Sequence, residues 1–104
     1  MSTDIIARGP GVEPAILAAG RAALAERFAR YGSSVRGASL FAEDLGTGGE
    51  RGKQMTLAVD FDRGGRLVLN FSRGSWDEVL KSLPQVADES INRELQRRWE
   101  LTSA

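Results

Sequence analysis

Residues 35–72 read VRGASLFAEDLGTGGERGKQMTLAVDFDRGGRLVLNFS, and the fold depends on this stretch. The pattern predicts three consecutive strands, from about Val35 to Leu45, from about Lys53 to Phe61 and from about Arg66 to Ser72. Apolar residues occupy every other position of the last two strands, which places them on one face of a sheet. They are Met55, Leu57, Val59 and Phe61, then Leu67, Leu69 and Phe71. Such a sheet needs a cover on its apolar face.

Two glycine-bearing segments join these strands. Asp62-Arg63-Gly64-Gly65 predicts a tight hairpin, because adjacent glycines adopt positive φ at little cost. The segment 46–52 holds four glycines and is interpreted as the flexible tip of the first hairpin. A phosphate-binding loop is disfavoured there, since such loops lead into a helix and a strand follows here.

The flanking sequence predicts one more strand and the covering helices. Ile5–Ala7 forms a short strand in this prediction, ended by Gly9-Pro10-Gly11. Pro14 then begins a helix that runs to Tyr31, with an apolar stripe of Leu17, Gly20, Leu24, Phe28 and Tyr31. Ser75 and Glu78 form a capping box for a last helix that reaches Trp99. Its predicted apolar stripe is Trp76, Leu80, Leu83, Ala87, Ile91 and Leu95. Pro84 leaves two alternatives open: one kinked helix, or two helices with Ser82 capping the second.

The order β-α-β-β-β-α predicts an α+β domain with both helices on one face of a four-stranded sheet. The first strand should lie parallel to the second, joined by the helical crossover. The 104 residues suit a single domain, residues 1–104, with an ordered core of about 3–100. There is no secretory signal pattern and no apolar run of membrane-spanning length, so we expect a soluble protein of the cytoplasm.

Composition restricts the chemistry. Lys and Arg total 14, Asp and Glu total 14, and neither cysteine nor histidine occurs. Disulfides, cysteine nucleophiles and histidine bases are therefore absent, and so are the usual zinc ligands. The carboxylates occur in pairs along the chain, but nothing in the sequence indicates that two of them meet in one cleft, as acid–base catalysis would need. We expect no enzyme, no catalytic residue, no metal site and no cofactor; the pair Asp60 and Asp62 is interpreted as polar surface rather than a cation site.

The arginines allow two interpretations. Arg93, Arg97 and Arg98 lie in the last helix, and Arg27 and Arg30 lie at the end of the first. Interleaved acids, such as Glu94, favour a solvated and salt-bridged surface over a nucleic-acid patch. Trp76 and Trp99 fit the apolar stripe and are predicted to pack in the core or at a helix end.

The element order resembles that of the ribosome hibernation promoting factor family, also called the ribosome-associated inhibitor or sigma-54 modulation protein family. The similar stretches are Glu13-Pro14-Ala15-Ile16 before the first helix, Phe28 and Tyr31 at its end, Ala42-Glu43-Asp44-Leu45-Gly46 closing a strand, Lys53 opening the next, and Ser90-Ile91-Asn92-Arg93-Glu94-Leu95 in the last helix. The last of these is similar to a Lys-Leu-x-Arg-x-Leu pattern in the family. The resemblance covers about residues 3–98.

The resemblance implies a bacterial stress-response protein that silences translation. It would bind the 30S ribosomal subunit and its 16S rRNA near the decoding site, without chemistry or cofactor. Implied RNA-binding residues are Arg93, Arg97 and Arg98, then Arg27 and Arg30; the planar guanidinium pairs with phosphate through two hydrogen bonds.

The alternative is a protein–protein interaction module, in one form a homodimer, that uses a sheet edge or the polar sheet face. Phe41 and Val68 are its exposed-face candidates. Arginines gathered on one face favour RNA, and arginines paired with carboxylates favour the interaction module.

Overall fold

A computed structural model describes residues 4–46 and 52–103 as one α+β domain in the predicted order. The elements are β1 (Asp4–Arg8), α1 (Pro14–Phe28), β2 (Val35–Asp44), β3 (Lys53–Phe61), β4 (Arg66–Arg73) and α2 (Trp76–Ser103), with a single 3₁₀ turn at Gly32–Ser34. The strands form one sheet in the order β1-β2-β3-β4, with β1 parallel to β2 and the other neighbours antiparallel. The predicted architecture is confirmed.

The β3–β4 turn has the backbone geometry that its glycines predict. Gly64 and Gly65 have φ values of 87° and 91°, a region that side chains with a Cβ atom rarely adopt. Most of the predicted glycine-rich tip between β2 and β3, residues 47–51, lies outside the described residues. At the base of this connection, the Leu45 N–H donates to the Gly52 carbonyl at 2.7 Å.

The core lies between the sheet and the two helices. The predicted alternation is confirmed, because Met55, Leu57, Val59 and Phe61 are all buried, as is Phe71. On α1, Gly20, Leu24 and Phe28 face this layer. Gly20 permits close approach, since a Cβ at this position would lie only 2.9 Å from Cδ2 of Leu40. The apolar rows of helix and sheet therefore meet directly.

Helix α1 is shorter than predicted, since it ends at Phe28 rather than Tyr31. The Tyr31 N–H donates to the Phe28 carbonyl at 3.0 Å, a three-residue spacing that tightens the chain into a turn. Gly32 then has a φ of 57°, which turns the chain toward β2. Tyr31 still packs against the core, as a turn residue.

Helix α2 is a single element that contains Pro84, so the one-helix alternative is the correct one. At its start, Ser75 Oγ accepts a hydrogen bond from the Glu78 N–H at 3.2 Å, as the predicted cap requires. Leu83, Ala87 and Ile91 are buried as predicted. Val79, which the predicted stripe left out, is also buried, whereas Trp76, Leu80 and Leu95 are half-buried against the core. Among the described residues, no helix is long and apolar enough to cross a membrane.

Candidate functional site

The five arginines predicted to bind RNA lie on or beside the two helices, and three of them are engaged in contacts within the protein. Arg97 and Arg98 both pair with Glu94 on α2, and Arg27 pairs with Asp88. Arg30 and Arg93 are exposed and form no ion pair with any residue that the structure describes. The predicted set therefore divides into paired and unpaired cations.

Arg98 connects the end of α2 to the β3–β4 turn. Its guanidinium donates to Glu94 Oε1 at 3.1 Å and to the Gly64 carbonyl at 2.8 Å. It also lies over the Phe61 ring, 4.4 Å from the ring centroid, in a cation–π contact. The Arg98 guanidinium packs directly against Gly65, in space that a Cβ at this position would need. These contacts give Arg98 a structural role.

Arg97 is more exposed, and its hydrogen bonds with the described residues stay within α2. It donates to Glu94 Oε1 at 2.6 Å, one turn earlier. Hydrogen bonding from Arg97, and then from Arg98, lowers the pKa of Glu94 despite partial burial. Glu94 therefore neutralises part of the charge that this end of α2 would present to a phosphate.

A cluster of Arg27, Tyr31 and Asp88 joins the two helices. Arg27 donates to Asp88 Oδ2 at 2.8 Å, and the Tyr31 hydroxyl donates to Asp88 Oδ1 at 2.5 Å. Burial raises the pKa of Tyr31, and the hydrogen bond to Asp88 raises it further, because the deprotonated phenolate would lie beside a carboxylate. The hydroxyl therefore stays protonated, and the cluster fixes the spacing of α1 and α2.

Trp99 is not in the core, and the prediction that it packs there is wrong. Its side chain is 71% exposed. Leu95, one turn earlier, packs against the core. The helix continues past Leu95, and the Trp99 side chain lies largely in solvent. Trp76, at the other end of α2, packs against the core as predicted.

Neither α1 nor α2 packs on the other face of the sheet, and the described strand residues display three large apolar side chains there. Ile6 is 56% exposed, Phe41 39% and Val68 58%. Phe41 and Val68 were predicted on this face; Ile6 was not. The signal for Ile6 lies in its neighbour, because Ile5 is buried and successive side chains of a strand point to opposite faces.

The strand register arranges this face in rows across the sheet. One row is Asp4, Gly37, Asp60 and Arg66; the next is Ile6, Ser39, Ala58 and Val68; the third is Arg8, Phe41, Thr56 and Asn70; the last is Glu43, Gln54 and Ser72. We call these residues the open sheet face. Two cross-strand contacts confirm the register: Arg66 pairs with Asp60 at 2.7 Å, and Asn70 Nδ2 donates to Thr56 Oγ1 at 2.8 Å. The second row, with Ile6 and Val68 at its two ends, therefore lies between rows that carry charges of both signs.

Ion pairs engage Asp60, which was weighed from the sequence as part of a cation site, and Lys53, the first residue of β3. Asp60 pairs with Arg66, and Lys53 Nζ donates to Asp44 Oδ1 at 2.8 Å. The Lys53 contact is the largest cause of a lowered pKa at Asp44. Within residues 4–46 and 52–103, no group of three or more acidic side chains is placed to hold a metal ion.

Comparison with known proteins adds no relative. No protein-family model matches this chain, and no curated protein matches it. The resemblance to the ribosome hibernation family therefore stays a prediction.

Proposed function

We propose that this chain is a protein–protein interaction module that pairs with a second copy of itself through the open sheet face. The observation that supports this most is the exposure of three large apolar side chains, Ile6, Phe41 and Val68, on the open sheet face. Exposed apolar side chains grouped between polar rows are typical of protein interfaces. The pairing of Arg27, Arg97 and Arg98 with carboxylates also favours a protein partner over a nucleic acid.

The register makes the open sheet face complementary to itself. A two-fold axis parallel to the strands, between β2 and β3, would place β1 of one copy opposite β4 of the other. Ile6 would then meet Val68, and Asp4 would meet Arg66, each contact occurring twice. Arg8 would lie opposite Asn70, and Glu43 opposite Gln54. No like charges face each other in this arrangement, which is what an isologous interface needs.

The size of the face sets the expected affinity. Four strands about 4.8 Å apart, each with about six residues at 3.4 Å, form a face of roughly 20 Å by 20 Å. Stable interfaces bury about 800 Å² of accessible surface per partner. The projected area of about 400 Å² per copy is below that value, so we expect a weak dimer that dissociates at micromolar or higher concentrations.

A charge-reversal pair tests the dimer. Asp4→Arg and Arg66→Asp each place like charges together at two corners of the proposed dimer, so each variant alone should sediment as a monomer. Mixed in equal amounts, the two variants should form a heterodimer, because both corners again pair opposite charges. Glu26→Arg, on the helix side, is the matched control and should leave the dimer intact.

Analytical ultracentrifugation across a concentration series measures the parent protein, the three variants and the mixture, and circular dichroism confirms that each variant is folded. A monomeric parent protein at all concentrations rejects the homodimer. A dimer that persists in both single variants places the interface elsewhere.

Ribosome binding is a second proposal, and the exposed Trp99 favours it. An exposed aromatic ring can stack on an unpaired base, and this one lies on the same helix as the unpaired Arg93. The predicted element order, which carries the resemblance, supports the same proposal. In this case Arg93, Arg30 and Trp99 would contact 16S rRNA of the small subunit, while Arg98 and Arg27 would hold the structure that presents them.

Co-sedimentation with 30S subunits and 70S ribosomes tests this proposal. Binding at low salt should weaken as salt rises, since phosphate contacts release counterions. The double variant Arg30→Ala, Arg93→Ala should lose binding, and Arg36→Ala with Arg63→Ala should retain it as the control of equal charge change. If the parent protein stays in the supernatant at low salt, the ribosomal proposal fails and the dimer proposal is unaffected.

A further inference from the structure

A second surface lies along the outer edge of β1, beside α1. A groove of about 410 Å³ runs there, lined by Ile5, Ile6, Ala7, Leu17, Ala18 and Arg21. Three consecutive strand residues contribute to it, although the Ile6 side chain belongs to the open sheet face. The groove therefore follows the edge of the strand instead of lying beneath the sheet. Its size falls within the range of about 300–1,000 Å³ that is usual for ligand sites.

β1 is an edge strand, with β2 as its single neighbour in the described sheet. Backbone N–H and C=O groups alternate between the two sides of a strand. Some of the N–H and C=O groups of Asp4–Arg8 therefore point away from β2. Such an edge can accept one further strand from another chain. An extended peptide backbone matches such a row of donors and acceptors, because a paired strand presents its own N–H and C=O groups at the same spacing.

The side chains around the edge specify what that peptide carries. Ile5, Ala7 and Leu17 make the floor and helix wall of the groove apolar, and exposed Ala18 leaves the entrance wide. Arg21 lies one helical turn from both Leu17 and Ala18, is exposed, and pairs with no carboxylate among the described residues. The groove therefore suits an apolar side chain of the peptide, and Arg21 at its rim suits a carboxylate of the peptide.

We propose that β1 and α1 bind an extended peptide segment of a partner protein, which adds to the sheet as a fifth strand. Alternate apolar side chains of the peptide enter the groove against Leu17 and Ala7, and an acidic side chain pairs with Arg21. This site goes beyond the self-association proposed above. In the face-to-face dimer the outer edge of β1 stays free, so the two interactions are compatible.

Selection from a phage-displayed library of random seven-residue peptides tests the site with the full chain as bait. Enriched peptides should alternate apolar residues and contain Asp or Glu. The best synthetic peptide is then titrated into ¹⁵N-labelled protein. Amide shifts should concentrate in residues 4–8 and 17–21, and the outward amides of β1 should exchange more slowly with solvent once the peptide is bound.

Two variants and a control make the result specific. Arg21→Glu should weaken the peptide at least tenfold and shift selection toward peptides with Lys or Arg. Ala18→Arg should block the entrance and abolish binding. Arg30→Glu makes the same charge change after α1 and should leave the affinity unchanged. The proposal is overturned by an absence of enriched peptides, or by enriched peptides that bind the Arg21→Glu variant equally well.

The parent protein and the dimer-disrupting Arg66→Asp variant, which lies on β4 at the opposite edge of the sheet, are compared in the same titration. Peptide affinity within twofold between them shows that the groove works without the dimer. Loss of peptide binding in the folded Arg66→Asp variant contradicts the independence of the two surfaces and overturns the proposal as stated.

Discussion

The two faces of the sheet differ at adjacent residues of the same strands. Leu40 is fully buried beneath α1, whereas Phe41, the next residue of β2, is 39% exposed. On the covered face, the apolar residues of β3 form one core cluster with residues of both helices. On the open face, similar residue types lie in solvent between charged rows. The difference shows that apolar character at a strand position does not by itself indicate a folding role; the position of the helices decides it.

The largest effect should come from the covered face. Leu57→Ala removes a fully buried side chain from the centre of β3, and we expect a loss of about 2–5 kcal/mol in the free energy of unfolding. Val68→Ala, on the open face, should change it by less than about 0.5 kcal/mol. Urea denaturation at low protein concentration measures both. Equal losses would contradict the separation of the two faces.

The next effect distinguishes two arginines that are adjacent in sequence. Arg98→Ala loses the contacts with Glu94, Gly64 and the Phe61 ring, and should cost about 1–2 kcal/mol of unfolding free energy. Arg97→Ala loses one exposed pair and should cost less than about 0.5 kcal/mol. Urea denaturation of the two variants measures the difference. A small, equal effect for both would show that Arg98 does not stabilise the β3–β4 turn.

A smaller effect of about 1 kcal/mol at neutral pH is expected for Tyr31→Phe, which removes one hydrogen bond to Asp88. The pH dependence gives a sharper test. The pKa of Tyr31 is raised in the folded state above its ordinary value of 10.0, so the unfolded chain loses the phenolic proton first as pH rises. This contribution to stability is therefore complete below about pH 10 and declines above it.

Denaturation of the parent protein and the Tyr31→Phe variant at pH 7, 9 and 10.5 checks this. The stability of the parent should fall relative to the variant only at the highest pH. A constant difference across the three pH values would mean that the folded state does not raise the pKa of Tyr31.

Sequence alone predicted most of the fold because its signals are local. The β3–β4 hairpin follows from period-two alternation and two adjacent glycines, and β3 occupies the predicted range from Lys53 to Phe61. The end of α1 was predicted three residues too late, because Tyr31 continues the apolar spacing although Gly32 turns the chain.

The candidate site was less predictable, because the partners of the arginines are distant in sequence. Arg27 and Asp88 are 61 residues apart, and Arg98 and Gly64 are 34 apart. Only the packing of both helices on the sheet brings these groups together. The exposure of Trp99 depends in the same way on the direction and length of α2 past Leu95, which the periodicity of the sequence does not give.

The smallest change in stability, and the most informative about function, is expected on the open sheet face. Ile6→Thr and Val68→Thr keep a β-branched side chain, so each should alter the stability of the monomer by less than about 0.5 kcal/mol. In the proposed dimer Ile6 of one copy lies on Val68 of the other, so each substitution damages the same two contacts. Each substitution should raise the dissociation constant of the dimer about tenfold. The dissociation constant of the double variant should exceed that of either single variant by far less than a further tenfold. Sedimentation measures the four dissociation constants; fully additive effects would contradict the contact between these side chains and favour a different relative orientation of the two sheets.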